Sequence, residues 1–506
     1  VKLLQSCNGN GIKIDTSAFN DKGLTVDFGG NAYTVGGVLV GSAGTGTNAF
    51  QLLAGGKVTF QNGSIVGVTE GTKPAEDTPD WHGAPAMMIQ NYCDLTLYKM
   101  EVVGGDETVY TMSNNHGDVV IEDSTITAGG AKGYSYGPYA FNACGYSTYT
   151  GVSVTVRNST INGDIEVSRS NQNKNSVKLA LESGTVSGAL KIDSSIQRGD
   201  ATAITKTENV LLDAPNGYTW TKVGNTGVLV KEDSAAVVNG VGYTTLAAAL
   251  NAVKETGGTI TLLKDTELKD AEYTIDKSVT INGPGKISCT VNKGEATRAF
   301  VVKNNGSLTL DGVELDIQGT KNTDHAKNND GTGIDVQFGG KLVLQNRAVL
   351  KLHHLNRGTI FSEPTGSPAD PGQVVINNST FESTDIDGNA SNGGDWTVTN
   401  GSTITINHCG SYGLSVNSLT TEQSKVNISG TSYSAIYGKK LQFKNGSNVL
   451  ISGAGTQLSF ESTSSAAKSP LQTHKDGGTL GVDSGATVTV RDCVDKDKKA
   501  NDTIYL

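Results

Sequence analysis

Apolar side chains along this chain come in short alternating runs, each closed by a polar turn. The pattern reads Val58-Thr-Phe-Gln-Asn-Gly-Ser-Ile65, Val119-Val-Ile-Glu-Asp-Ser-Thr-Ile126, Val154-Thr-Val-Arg-Asn-Ser-Thr-Ile161, Val374-Val-Ile-Asn-Asn-Ser-Thr-Phe381 and Trp396-Thr-Val-Thr-Asn-Gly-Ser-Thr-Ile404. Looser copies stand at Leu95-Thr-Leu97, Leu308-Thr-Leu-Asp-Gly312, Leu342-Val-Leu-Gln-Asn346 and Leu441-Gln-Phe-Lys-Asn-Gly446. Alternation with period two puts every other side chain on one face of a strand, and Asn-Gly, Asp-Ser and Asn-Ser pairs favour tight turns. A strand phrase that returns at irregular intervals of about 20 to 35 residues predicts an all-β solenoid, with strands stacked turn on turn.

The phrases run from about residue 12 to Ile196, lapse between Arg198 and Gly242, and resume as far as Val490. This spacing predicts two consecutive solenoid domains, 1–197 and 243–506, with a hairpin-like linker over 198–242 turning near Asn225-Thr-Gly227. One helix is predicted, over about 245–255. Leu246, Leu250 and Val253 share a face, Thr244 or Thr245 can cap its start, and Gly257-Gly258 ends it. At three turns it is too short to stand alone, so it is expected to cap the open end of the second solenoid, over strands near 259–263 and 278–281.

Composition agrees with many short strands and turns, since 64 of 506 residues are Gly, 10 are Pro and 6% are aromatic. A hydrophobic share of 36% is low for a globular protein, but stacked turns bury a continuous column from modest side chains. The net charge of −10, from 40 Lys+Arg against 50 Asp+Glu, and the lack of any basic tract speak against a nucleic-acid partner. No apolar run reaches the roughly 18 residues of a membrane span. The start at Val1, with no leader, is expected of a mature segment or of a trimmed piece of a longer chain. Cys7, Cys93, Cys144, Cys289, Cys409 and Cys493 lack any CxxC or paired-His spacing, which argues against structural zinc. Buried free thiols and one or more disulfides both remain open, and cysteine usage does not fix the compartment.

The segment Val238-Asn-Gly-Val-Gly-Tyr-Thr-Thr-Leu-Ala-Ala-Ala-Leu-Asn-Ala-Val253, with Gly257-Gly-Thr-Ile-Thr-Leu-Leu-Lys-Asp265 and Lys277-Ser-Val-Thr-Ile-Asn-Gly283, resembles the opening of pectate-lyase-like right-handed parallel β-helix modules. Those modules belong to large surface proteins, of adhesin type, from gut Gram-positive bacteria. Leu24-Thr-Val-Asp-Phe-Gly-Gly30, Val40-Gly-Ser-Ala-Gly44, Ile89-Gln-Asn-Tyr92 and Met112-Ser-Asn-Asn115 are similar to a module of the same kind of protein. The resemblance covers nearly the whole chain. It implies right-handed winding and an extracellular, cell-surface setting, with adhesion to a glycan or a host protein as the role. The same fold also carries enzymes, so a β-helix glycoside hydrolase or polysaccharide lyase is the alternative.

Asn322-Thr-Asp324 has the form of the first catalytic motif of polygalacturonases, in which the Asp is a general acid. The chain has no Asp-Asp pair to complete it, and His82-Gly83 lies upstream in the other domain. Asp385-Ile-Asp-Gly-Asn389 offers Asp385, Asp387 and Asn389 as oxygen donors for calcium, and Asp385 and Asp387 as acids, without the loop positions of an EF-hand. A turn that favours Asp, Asn and Gly explains the same residues. Apart from that weak calcium site, no cofactor is expected.

Two insertions exceed what turns require. One, 69–85, holds Asp80, Trp81 and His82; the other, 132–150, holds Tyr134, Tyr136, Tyr139, Tyr146 and Tyr149. Rings beside carboxylates can pack on sugar faces or anchor a protein partner, or can simply cover the solenoid's own flank. His353 and His354, adjacent on a strand, should face opposite sides, one outward and one into the core.

Overall fold

The computed structural model describes residues 1–19, 22–42, 46–53, 56–71, 83–170, 175–197, 200–269, 272–291, 298–319, 331–361, 371–453, 471–473, 477–493 and 504–505. The fold is all-β with parallel sheets, and the chain divides into two units: Val1–Asp233 with Asn239–Gly242, and Ser234–Val238 with Tyr243–Leu506.

In the first unit the alternating runs lie in register on successive parallel strands of a fourteen-stranded sheet. Val58, Leu95, Val119, Val154, Leu179 and Ile204 form one row, and Phe60, Leu97, Ile121, Val156 and Leu181 the next but one. A seven-stranded parallel sheet supplies the facing row Phe50, Ile89, Met112, Phe141, Ile165 and Leu190. All of these side chains are buried in one cluster. Each contributes about 1.5–3 kcal/mol by leaving water, which is how a low hydrophobic share still yields a continuous core.

The second unit repeats the arrangement with eighteen- and nine-stranded sheets. Val279, Leu308, Leu342, Val374, Trp396, Leu419 and Leu441 stand in register on the former. Ile287, Leu315, Leu350, Phe381, Ile404, Val426 and Val449 do so on the latter, and both rows are buried.

The recurrent polar pair has a specific task at the corners between strands. Asp123, Asn158 and Asn378 take left-handed backbone with φ of 49°, 46° and 47°, a conformation that Asn and Asp tolerate better than most residues. The serine that follows then turns inward. Ser124, Ser159, Ser379 and Ser402 are buried. Their hydroxyls join one turn to the next: Ser124 Oγ accepts from Met100 N at 3.0 Å, Ser159 Oγ from Ser124 N at 3.0 Å, and Ser402 Oγ from Ser379 N at 3.2 Å. A backbone N–H buried at the bend is thereby satisfied.

The helix occupies Leu246–Val253, with the Thr245 hydroxyl accepting from Ala248 N at 3.1 Å. Leu246, Ala249, Leu250 and Val253 are buried with Ala236, Ile260, Leu262 and Leu268, so the apolar face covers the first strands of its unit. Gly257, at φ +70°, donates to Val253 O and ends the helix.

The stretch 198–242, expected as a hairpin-like linker, is shared between the units. Thr202–Thr207 pairs in parallel with Ser176–Leu181, and Tyr218–Val223 and Thr226–Lys231 form the antiparallel hairpin that ends the fourteen-stranded sheet. Ala236–Val238 pairs antiparallel with Gly258–Leu262 in the second unit. Antiparallel strands at a sheet's end satisfy an edge that further parallel turns would otherwise have to cover.

Candidate functional site

The outer face of the seven-stranded sheet in the first unit carries the densest chemistry. Because Phe50, Ile89, Met112, Phe141 and Ile165 point into the core, the next residue on each strand points out: Gln51, Gln90, Ser113, Asn142 and Glu166, in register across the sheet. Outward positions of a solvated sheet are usually well exposed. Here Gln51, Ser113 and Asn142 are buried, and Gln90 and Glu166 only half-buried. Gln51 Nε2 and Asn48 Nδ2 both donate to Gln90 Oε1, at 2.8 and 2.9 Å. Asn142 Oδ1 accepts from Asn114 N at 2.8 Å. Hydrogen bonds thus fix Gln51 and Asn48 against Gln90, and Asn142 against the backbone of the neighbouring strand.

Tyrosines stand at both ends of these strands. At the start, Tyr110 stacks on Tyr139 with ring centroids 5.1 Å apart, Tyr136 lies 6.3 Å from Tyr110, and Tyr134 lies 6.0 Å from Tyr136. At the finish, Tyr92 meets Tyr146 edge-on at 5.7 Å and Tyr149 at 5.6 Å, and His116 stacks on Tyr149 at 4.7 Å. His116 Nδ1 donates to Gly151 O at 2.9 Å. Beside this second group a cleft of about 320 Å³ is lined by Asp94, His116, Asp118, Thr150 and Lys178, among others. Tyr134, Tyr136 and Tyr146 expose 41%, 51% and 37% of their surface, so each group has buried members that fix it and exposed members that can touch a ligand. Tyr92 is five positions beyond Met87, the partner of Tyr110, which separates the two groups by about 16 Å along the strand direction.

Glu166 ties the first group to the polar row. Its Oε2 accepts from Tyr110 Oη at 3.0 Å and from Ser168 Oγ at 3.1 Å. Burial, and next the Glu166 carboxylate, push the Tyr110 hydroxyl above the usual phenol range. Tyr139 is raised by the same causes in the same order, and Tyr92 by burial and then by Tyr146 and Tyr149. These hydroxyls therefore remain protonated donors at any physiological pH.

Of the predicted binding residues, Tyr134, Tyr136 and Tyr139 fall in the first group, and Tyr146 and Tyr149 in the second. Asp80, Trp81 and His82 lie outside the described residues, as does Asp324. Tyr92, Tyr110, His116 and Glu166 escaped the sequence reading. Their signal was the strand register, in which Tyr110 pairs with Tyr139.

Asp385 and Asp387 are exposed on either side of buried Ile386, and the Asn389 side-chain oxygen accepts from Tyr412 N at 3.2 Å. Among the described residues no group of three His, Cys, Asp or Glu is placed to hold a metal ion. Asp385 instead lies between two histidines, 3.8 Å from His354 Nδ1 and 3.4 Å from His408 Nδ1. His353 and His354 do not divide between core and surface. His354 leaves the strand at φ +55°, so both rings stay partly exposed, 5.3 Å apart, and His353 Nε2 stands 2.6 Å from Asp316 Oδ1. No disulfide joins the six cysteines, and Cys93, Cys144, Cys289 and Cys409 are buried. No described helix is long and apolar enough to cross a membrane.

Neither a scan against protein-family models nor a search of curated proteins gave a match to this chain.

Proposed function

We propose that this chain is part of an extracellular bacterial surface protein, an adhesin or stalk whose two consecutive units are right-handed parallel β-helices of the pectate-lyase-like kind, and that its first unit holds glycan chains without cleaving them. The in-register parallel stacking and the capping helix support the β-helix reading. The observation that carries the function is the polar row between two groups of tyrosines about 16 Å apart on one sheet face. Exposed rings can pack on sugar C–H faces, while Gln90, Glu166 and the tyrosine hydroxyls exchange hydrogen bonds with sugar hydroxyls. That separation suits an extended oligomer better than a small metabolite. Rings already stacked in the free protein lose little entropy on binding.

A glycan array run beside an assay for released reducing sugar tests the reading. Binding without release is expected, and Tyr136→Ala with Tyr146→Ala should weaken binding at least tenfold while the melting temperature stays within about 2 °C, because both rings are exposed. Steady release of oligosaccharides by the wild type would replace the adhesin with a β-helix hydrolase or lyase. Binding untouched by both substitutions would move the site elsewhere.

A further inference from the structure

The charges around the tyrosines bear on which glycans such a face can accept, a question that rests on the glycan-binding reading above. Glu166 lies beneath Tyr110 and Tyr139, and its carboxylate takes hydroxyl donors from Tyr110 and Ser168. Asp164 and Asp193 stand close enough to Tyr139, and Glu107 close enough to Tyr134, to disfavour ionisation of those phenols. Asp193 accepts from Ser195 N at 2.8 Å, and the Ser195 hydroxyl and backbone hold it below the usual carboxylate range, so it stays charged.

The two lysines nearest the first tyrosine group each face another carboxylate. Lys191 Nζ, on the strand next to Glu166, lies 3.7 Å from Asp164 Oδ2, and Lys132 Nζ lies 3.1 Å from Glu70 Oε2. Among the described residues none of Glu166, Asp193 and Glu107 forms a close ion pair with a lysine or arginine, although Lys191 stands opposite Glu166 in the strand register and the Glu107 charge acts on Lys132.

From this arrangement we infer that the face selects neutral polysaccharides and rejects polyuronates and other anionic glycans. A uronate carboxylate seated on these tyrosines would meet Glu166 at close range. At about 6 Å and an effective dielectric near 20, the repulsion weakens binding on the order of ten- to hundredfold. A neutral sugar meets no such penalty. A carboxylate has about four acceptor sites, so Glu166 retains capacity for a sugar hydroxyl after its two hydrogen bonds within the protein. At the first tyrosine group Lys191 and Lys132 are each drawn towards another carboxylate, whereas Lys178 lines the cleft beside the second group, so the bias against an anionic sugar belongs to the first group.

Affinity electrophoresis of the full chain separates the outcomes. The gels would contain neutral glucan, mannan or xylan in one set and polygalacturonate in the other, each at low and at 0.5 M (about) salt, where exposed charges are screened. Retardation at least tenfold stronger in one or more neutral gels is expected, with Glu166→Gln and added salt both narrowing the gap by improving binding to polygalacturonate. Equal or stronger binding to polygalacturonate by the wild type would overturn the selectivity while leaving glycan binding in place. A gap unchanged by Glu166→Gln and by salt would overturn its electrostatic origin. Retardation in neither set would overturn the glycan reading and the selectivity together.

Discussion

Replacing Ser402 by alanine should destabilise the second unit far more than the loss of one oxygen atom from a turn suggests. Ser402 is fully buried at a corner between strands Asp395–Thr399 and Thr403–Cys409. Its Oγ accepts from Ser379 N at 3.2 Å, one turn earlier, and donates to the Thr399 carbonyl at 2.5 Å, with the Ile376 carbonyl further off at 3.1 Å. Alanine leaves the Ser379 N–H, also buried, without its acceptor. A buried donor stripped of its partner costs about 1–3 kcal/mol. Urea unfolding followed by the fluorescence of Trp396 reads this locally, because Trp396 is 1% exposed in the strand that precedes the corner. Only Trp81 and Trp220 need to be changed to Phe to make it the sole tryptophan. With a slope of about 3 kcal/mol per molar urea, the midpoint should fall by roughly 0.3–1 M. Thr397→Ala, on the outward side of the same strand, should change stability by less than about 0.5 kcal/mol. Equal effects of the two substitutions would refute the idea that the corner hydroxyl bonds one turn to the next, and would reduce the Asn-Ser phrase to turn composition alone.

The helix gives a second expectation: Leu250→Asp places a charge among Leu246, Ile260 and Leu262 and should cost several kcal/mol, read as a lower urea midpoint of the second unit, whereas a change below about 1 kcal/mol would show that the helix face is dispensable. Burial pushes the Cys93 and Cys409 thiols up to about 12, so at pH 8 they should resist a thiol reagent in the native protein and react only on unfolding, while the partly exposed Cys7 and Cys493 label first; rapid native labelling of Cys409 would contradict the stacked core. Glu314 is raised somewhat by desolvation but brought lower on balance by its hydrogen bond to Lys351 and by Lys286. Its contribution to stability is present above the ordinary glutamate range and fades as pH falls through the lower folded value, so Lys351→Gln should flatten the acid side of a stability–pH curve, and an unchanged slope would dismiss the pair.

Much of the architecture was legible because the buried rows of the parallel sheets are periodic along the chain. Val119-Val-Ile and Val154-Thr-Val announce their own inward faces, and both runs occupy neighbouring places in one row of the core. The helix was equally plain, since Leu246, Leu250 and Val253 repeat at helical spacing between a threonine cap and a glycine stop. The candidate site was only half legible. Tyr136 and Tyr146 stand out in a long insertion, but Tyr110 opens a strand that lacks the full phrase and Tyr92 directly follows another. Their proximity depends on how insertions of unequal length restore the register, which no local pattern encodes. The histidine pair failed for a related reason: alternation holds only while the backbone stays extended, and His354 is already in the left-handed turn. At 218–231 the turn predicted a hairpin, yet nothing local revealed that Thr226–Lys231 would pair with Thr202–Thr207.

Hydroxyl-radical footprinting, with and without a neutral oligosaccharide chosen from the array, tests the central claim most directly. Tyr134, Tyr136 and Tyr146 are exposed in the free protein and report on both tyrosine groups at once. The account predicts that bound glycan protects all three together, while the partly exposed stack of Tyr412, Tyr433 and Tyr437 in the second unit is oxidised as before. Protection confined to that second stack, or absent from either end of the sheet face in the first unit, would contradict it.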